Sequence, residues 1–444
     1  MDSAVLAAYI AAGASLVTLA GTTISQRLAT HATSRDNEKT LIQQRDQSEK
    51  TLKQQRDQSE ETLKQQRDQL NQTLAEQGKQ LDKTLGEQRT RTLNERFATA
   101  ADKLGSDKPP AVRLAGVYAM AGLADDWEEN QQTCIDVLCA YLRLPYEPDP
   151  GDDGSPQERL AFQASREVRR TVIRVIAAHL QDDAQQDNAV KLWQRRRFDF
   201  TGGVFDGGDF SGVVFSGGQV SFRNAVFSGG QVSFRNAVFS GGQVSFRYAV
   251  FSGGKTDFGA AVFSGGKTDF SDAVFCGGQV IFKSRFVGGQ ADFSGARFAG
   301  GQVSFSEASF ANGQVYFREA VFSGGQADFS GAKFNSGQVY FSRARFTGSQ
   351  VDFSGARFSG SRVDFGGVGF SSGRISFRSA AFASGEVDFG GVEFYGSAVD
   401  FSGSVFSGGD VDFSMVANWK HRPEFDWDRR LSPGARPAGV KLPA

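Results

Sequence analysis

The chain has 444 residues, 53 Gly, 41 Phe and a formal net charge of −1, a balance that gives no global attraction to nucleic acid or anionic lipid. Its three cysteines, Cys134, Cys139 and Cys276, form no Cys-x-x-Cys pair and no disulfide framework, which points to a reducing compartment. The phenylalanines fall almost entirely after Arg197, and such a bias marks an internal repeat.

The N-terminal stretch from Ala4 to Ile24 carries no charge. At about 1.5 Å per helical residue it is long enough to cross a bilayer core. No Lys or Arg precedes it, whereas Arg27, Arg35 and Lys39 follow. The positive-inside rule then predicts a single-pass transmembrane helix over residues 1–25, contacting the cell membrane through residues 4–24. The N-terminus would lie outside and the C-terminal body in the cytoplasm. The competing reading is a soluble Ala-rich helix that packs or oligomerises.

Residues 26–97 hold an 11-residue period: TLIQQRDQSEK, TLKQQRDQSEE, TLKQQRDQLNQ and TLAEQGKQLDK follow one another. Leu41, Leu52, Leu63, Leu74 and Leu85 recur once per repeat, and Leu70 and Leu81 thicken the stripe near its end. Eleven residues in three turns is about 3.67 per turn, so the stripe runs nearly straight or with a slight right-handed supercoil. Helix formers dominate and Pro is absent. The expected element is a long helical stalk or coiled coil, on the order of 100 Å long. It would be held either by i,i+4 charge pairs or by self-association of the stalk into a homo-oligomer.

Residues 98–197 read as a helical adaptor domain. VRLAGVYAMAGLADD places Val112, Ala115, Ala119 and Leu123 on one helical face, with Leu114 and Tyr118 beside them. TCIDVLCAYLRLPY is a second amphipathic helix that ends before Pro145, and EVRRTVIRVIAAHL, Glu167 to Leu180, is a third. The segment EPDPGDDGSPQE between them is read as a loop from its Pro, Gly and Asp content. Cys134 and Cys139 are expected as small core residues. His179 is expected to pack, and Arg195, Arg196 and Arg197 to form a solvated face or helix C-terminus.

Residues 198–414 read as a solenoid, and from Phe215 onward the phenylalanines are spaced alternately by seven and five, as in Phe222, Phe227, Phe234, Phe239, Phe246, Phe251, Phe258 and Phe263. The unit is therefore 12 residues, and SFRNAVFSGGQV occurs twice in succession. A small or β-branched residue sits two before most Phe: Val220 before Phe222, Ala225 before Phe227. Positions i and i−2 of an extended chain share a face, so these pairs point inward. Ser221, Arg223 and Asn224 point out. The recurring Ser-Gly-Gly-Gln supplies residues that tolerate positive φ at corners. Those eight Phe are the expected core ladder.

This spacing resembles the pentapeptide repeat family, whose five-residue unit has a small residue at i−2 and Leu or Phe at its centre. The resemblance implies a right-handed quadrilateral β-helix with four units per coil. Phe200, Phe205, Phe210 and Phe215 keep the strict spacing of five; afterwards alternate units carry two extra residues at the Gly-Gly site. Coils of about 24 residues follow, about nine of them over this segment, in a rod of about 40 Å. The four-residue step from Phe282 to Phe286 predicts a bulge or bend. Residues 415–444 are expected to cap the end through Trp419, Phe425 and Trp427 and to finish in a disordered Pro- and Gly-rich tail.

No catalytic, cofactor-binding or metal-binding constellation is found. The three histidines, His31, His179 and His421, lie in different units, and nucleophile-elbow, Walker and zinc-binding motifs are absent. The Asp residues just before Phe, from Asp257 to Asp412, are read as a solvated ladder. The expected fold is α plus β-solenoid, and the expected role is non-enzymatic: a membrane-anchored scaffold for an unidentified protein partner, with no cofactor. Arg223, Arg235 and Arg247 are read as one basic strip and are the expected interaction surface. The alternative function is DNA mimicry, which some pentapeptide repeat proteins use to regulate gyrase or another topoisomerase. It requires a strongly acidic rod, whereas residues 198–413 hold 18 acidic and 16 basic side chains, a net of −2. Nucleic acid itself is not an expected partner.

Overall fold

The computed structural model describes residues 36–105, 107–147, 149–181, 193–426 and 437–443. The expected membrane span, His31 and Trp427 lie outside them. Among the described residues, no helix is long and apolar enough to cross a membrane. The chain divides into two units, Met1–Thr90 and Arg91–Ala444.

The 11-residue repeat lies within helix α1, Asp36–Leu104. The period is visible in its hydrogen bonds: the hydroxyls of Thr51, Thr62, Thr73 and Thr84 each donate to the carbonyl of the Gln four residues earlier. Among the described residues the i,i+4 ion pairs are Lys83–Glu87 at 4.0 Å and Arg91–Glu95 at 3.0 Å. Both run base before acid, the weaker order on a helix, so the expected lattice of charge pairs is sparse.

The second unit begins with a helical block. Helix α2, Pro110–Asp126, is started by Pro at its first position. Its buried face is Gly116, Val117, Met120, Ala121, Leu123 and Ala124. The expected face is thus rotated, because Val112, Ala115 and Ala119 are exposed. Gly116 decides this: a side chain there would strike the backbone at Lys103 and Leu104. Helix α3, Gln131–Arg143, buries Cys134, Ile135, Leu138, Cys139 and Leu142.

Helix α4, Pro156–Leu180, starts 11 residues before Glu167, its expected start. Ser155 and Glu158 form a reciprocal capping box: the Glu158 amide donates to Ser155 Oγ at 3.2 Å, and the Ser155 amide to Glu158 Oε2 at 2.8 Å. The end of the expected loop therefore belongs to the helix.

The solenoid is parallel throughout, and four strand rows wind upward. Row 1 starts at Phe198–Asp199 and row 2 at Val204–Phe205; row 3 starts at Gly208–Asp209 and row 4 at Val214–Ser216. Row 4 has nine strands, one per coil. The pairings Val226↔Val250 and Val238↔Val262 confirm a 24-residue coil. The first coil is shorter by two, since Phe198 pairs with Val220 and Val204 with Val226.

Two kinds of corner close each coil. After rows 1 and 3 the chain makes a Phe-x-x-Ala turn; the Ala225 amide donates to the Phe222 carbonyl at 3.0 Å, with Asn224 at φ 55°. Positive φ at the third position marks a type II turn. After rows 2 and 4 come the glycine corners. Gly241, at φ +70°, faces open space, whereas a methyl on Gly242 would run into the Gly218 carbonyl of the coil below. Gly242→Ala is therefore expected to lose about 2–3 kcal/mol of stability by overpacking, and Gly241→Ala about 1–2 kcal/mol by left-handed strain. Urea unfolding of both variants tests the order; an equal or reversed loss would contradict this account of the corner.

The inward phenylalanines stand in four separate columns. Phe222 stacks on Phe246 with ring centroids 4.8 Å apart, Phe227 on Phe251 at 4.7 Å, Phe234 on Phe258 at 4.8 Å and Phe239 on Phe263 at 4.9 Å. Columns meet edge to face within a coil, as Phe222 and Phe234 do at 5.6 Å and 88°. Each ring buries roughly 150–250 Å², and offset or perpendicular contacts suit the ring quadrupole.

The irregular step at Phe282 is a shortened turn, not a bulge. Ser284 replaces the usual pair of residues before the next strand, and its amide bonds back to the Phe282 carbonyl at 2.7 Å. Its buried hydroxyl donates to the Phe258 carbonyl at 2.6 Å. A true register shift falls later, between Phe346 and Ser349, inside the long strand Arg345–Asp352 that merges rows 2 and 3.

Both ends are covered. Helices α3 and α4 and the buried Trp193 lie over the first coil. At the other end Phe425 stacks on Phe401 at 5.0 Å, and Trp419 meets Phe394 and Phe413 edge-on. The tail is not wholly irregular: Val440–Lys441 adds a strand to row 1, with Val411↔Val440 and Asp412↔Lys441.

Candidate interaction surface

The outer surface of the solenoid follows from its inner pattern. Residues flanking each inward Phe or Val face out, and their equivalents one coil later lie directly above. Side chains therefore form vertical ladders. In row 1, Gln290 donates its amide to Gln314 at 3.1 Å and Gln314 to Gln338 at 3.0 Å. On the same row Tyr316 and Tyr340 stack outside the barrel at 5.2 Å. The Arg318 guanidinium lies over both rings, 4.9 Å and 4.4 Å from their centroids. Each Tyr hydroxyl donates to the Gln two residues before it.

The Asp residues before Phe are more than a solvated ladder. Asp257 Oδ1 accepts from the Gly259 amide at 2.7 Å, Asp328 Oδ1 from Ser330 at 2.8 Å and Asp388 Oδ1 from Gly390 at 2.7 Å. They cap the type II turns as Asx turns do. Ser at this position does the same at longer range, as Ser221 Oγ does for the Arg223 amide at 3.4 Å. A hydrogen bond from the Ser414 side chain and another from its amide hold the Asp412 carboxyl below its usual range. The recurrence of Asp and Ser at one turn position was the available signal for this role.

Arg223, Arg235 and Arg247 do not form one strip. Arg223 and Arg247 follow row 1 on successive coils, joined by the Asn224 amide to Arg247 carbonyl bond at 3.0 Å. Tyr248 lies under both guanidinium groups, at 5.6 Å and 4.8 Å, and Arg247 pairs with Asp272 at 3.3 Å. Arg235 follows row 3, on the opposite side, where it meets the buried Asp257 at 3.4 Å. Twelve residues is half a coil, so alternate repeats face opposite ways. Cross-coil neutralisation is general: Lys283 pairs with Glu307, Arg343 with Glu319, and Arg362 with Glu386.

Among the described residues, the buried charge of the helical block sits at its junction with the first coil. The buried Arg169 donates to the carbonyls of Tyr141, Leu142 and Val204 at 3.3, 2.7 and 2.8 Å, and lies over the Tyr146 ring at 4.4 Å. Burial pushes its pKa down. Tyr146 donates to Asp206 at 2.8 Å, and Arg166 pairs with the same carboxylate at 3.0 Å. Desolvation, reinforced by Asp206, raises the Tyr146 phenol.

His179 is packed, as expected: its Nε2 meets Asp125 at 3.1 Å and its ring stacks on Trp193 at 4.1 Å. Cys134 and Cys139 are both buried, and desolvation raises their thiols to about 11 and about 12, values that leave almost no thiolate. Two of the three consecutive arginines are bound to α3 instead of free in solvent. Arg196 donates to Gln131 at 2.6 Å and Arg197 pairs with Asp136 at 3.1 Å. No group of His, Cys, Asp and Glu among the described residues is placed to hold a metal ion.

A family model described as pentapeptide repeats in nine copies matches residues 200–250, 287–333 and 324–369. Neither a curated protein nor a solved structure gives a match. The matched segments lie in the four-row solenoid, whose inward Phe and small residues supply the repeat. The matched segments carry the repeats of the pentapeptide repeat family, wound here into a parallel β-solenoid.

Proposed function

We propose that this chain is a non-enzymatic, membrane-anchored scaffold that presents its solenoid to a protein partner. Residues 1–25 serve as the anchor, 26–97 as the stalk, 98–197 as the adaptor, 198–414 as the binding rod and 415–444 as its cap. The observation that carries the reading is the outer ladder of row 1. There the half-buried Tyr316 and Tyr340 stack under the exposed Arg318 and form an aromatic patch among hydrogen-bonded glutamines. Aromatic residues and Arg are the types enriched where proteins bind one another. The corner bearing Arg223, Tyr248 and Arg247 offers a second contact of the same chemistry.

DNA mimicry fits less well, because the rod's charges are mixed and largely neutralised between coils. The full chain, assayed at low micromolar concentration for DNA supercoiling by gyrase, is expected to leave the reaction unchanged. Inhibition or protection would overturn the scaffold reading in favour of a topoisomerase regulator. The anchor has its own test. The tagged chain should sediment with membranes and require detergent for release, whereas a variant lacking residues 4–24 should not. Full recovery of the intact chain without detergent would remove the anchor.

A further inference from the structure

In helix α1, Leu63, Leu70, Leu74, Leu81 and Leu85 follow one another at steps of 7, 4, 7 and 4. On a helix with an 11-residue repeat, these steps keep all five on one narrow stripe. Each of the five is more than half exposed. Every side chain from Ile42 to Thr92 is likewise exposed, so among the described residues nothing in the same chain covers the stripe. Helices of this kind draw most of their stability from packing of an apolar face.

We propose that this stripe is the seam of a parallel, in-register coiled coil with a second copy of the chain. Charge favours that partner. Residues 44–90 carry nine basic and nine acidic side chains, so two copies meet without net repulsion. The flanks favour the parallel direction. One side of the seam bears Gln55, Gln66, Gln77 and Gln88; the other bears Arg56, Glu60, Arg67, Asp82 and Arg89. In a parallel pair the amide flank of one helix faces the charged flank of the other, whereas an antiparallel pair sets the charged flank against itself. Spacing agrees: in parallel register all five leucines meet their own copies. An antiparallel register that matches Leu70 with Leu85 and Leu74 with Leu81 leaves Leu63 opposite Thr92. The near-straight 11-residue period gives the pair a slight right-handed twist.

The test uses the full chain in mild detergent. Sedimentation should report the mass of two chains, and the double variant Leu70→Lys/Leu81→Lys the mass of one, with the β-sheet circular dichroism signal unchanged. Leu63→Cys, in a Cys276→Ser background, should oxidise to a disulfide-linked dimer of identical chains. A wild-type mass of one chain, or a double variant that keeps two, overturns the pairing. Failure of Leu63→Cys to cross-link to itself overturns the parallel register.

Discussion

Phe305→Ala is expected to destabilise the solenoid by about 3–5 kcal/mol, the cost of truncating a fully buried aromatic residue. Phe305 is inaccessible to solvent and stacks on Phe282 below and Phe329 above, at 4.8 Å in each case. It also meets Phe293 and Phe317 edge-on at 5.4 Å and 5.6 Å. Flanking coils are fixed by their own hydrogen bonds and cannot close over the void. In a solenoid each coil contacts only its neighbours, so the damage should stay local. Protease cleavage should appear first in the two adjoining coils. Phe406 sits in the last strand of row 4 and is only partly buried, so its truncation should cost clearly less. Equilibrium unfolding in urea measures both. A loss below about 1 kcal/mol for Phe305→Ala would show that the columns do not hold the rod together as argued.

Arg169→Met is expected to cost a comparable 3–5 kcal/mol or so, by a different route. Methionine fills the space over Tyr146 but leaves the carbonyls of Tyr141, Leu142 and Val204 without their donor. Two of these close the C-terminal end of α3, and the third belongs to the first solenoid coil. Arg169→Lys keeps the charge but lacks the planar fork that reaches several acceptors, so it should fall between wild type and Met. The readout is thermal unfolding followed separately through the helical and β signals. If the methionine variant unfolds as wild type does, the arginine is not the pin of this junction.

Much of the solenoid was legible because its signal is periodic and redundant. The 5+7 spacing of the Phe after Phe215 leaves little freedom in which residues point inward, and the 24-residue coil follows from it. What was misread depends on single contacts. The buried face of α2 turns on the close approach at Gly116, which apolar spacing alone does not encode. The start of α4 was hidden inside a Pro- and Gly-rich segment, although Ser155 and Glu158 spell a capping box. Arg223, Arg235 and Arg247 looked like one strip because their shared repeat was 12 residues, while the physical repeat is 24. The turn-capping Asp residues looked merely exposed because their partners are backbone amides. Tyr316 and Tyr340 come together only through the coil, 24 residues apart, and nothing local to either residue marks the pair.

The two corner types alternate, so each coil is nearly its own copy after half a revolution. Gain or loss of one 12-residue unit, of the kind suggested by the tandem SFRNAVFSGGQV segments, would leave the core intact. It would, however, carry every later outer ladder to the far side of the rod. Inserted before Tyr316, a single unit would move the Tyr316–Arg318–Tyr340 patch from row 1 to row 3. The interior would be conserved while the direction in which the rod offers its contacts reversed. In a protein so built, one short duplication is enough to redirect a binding face.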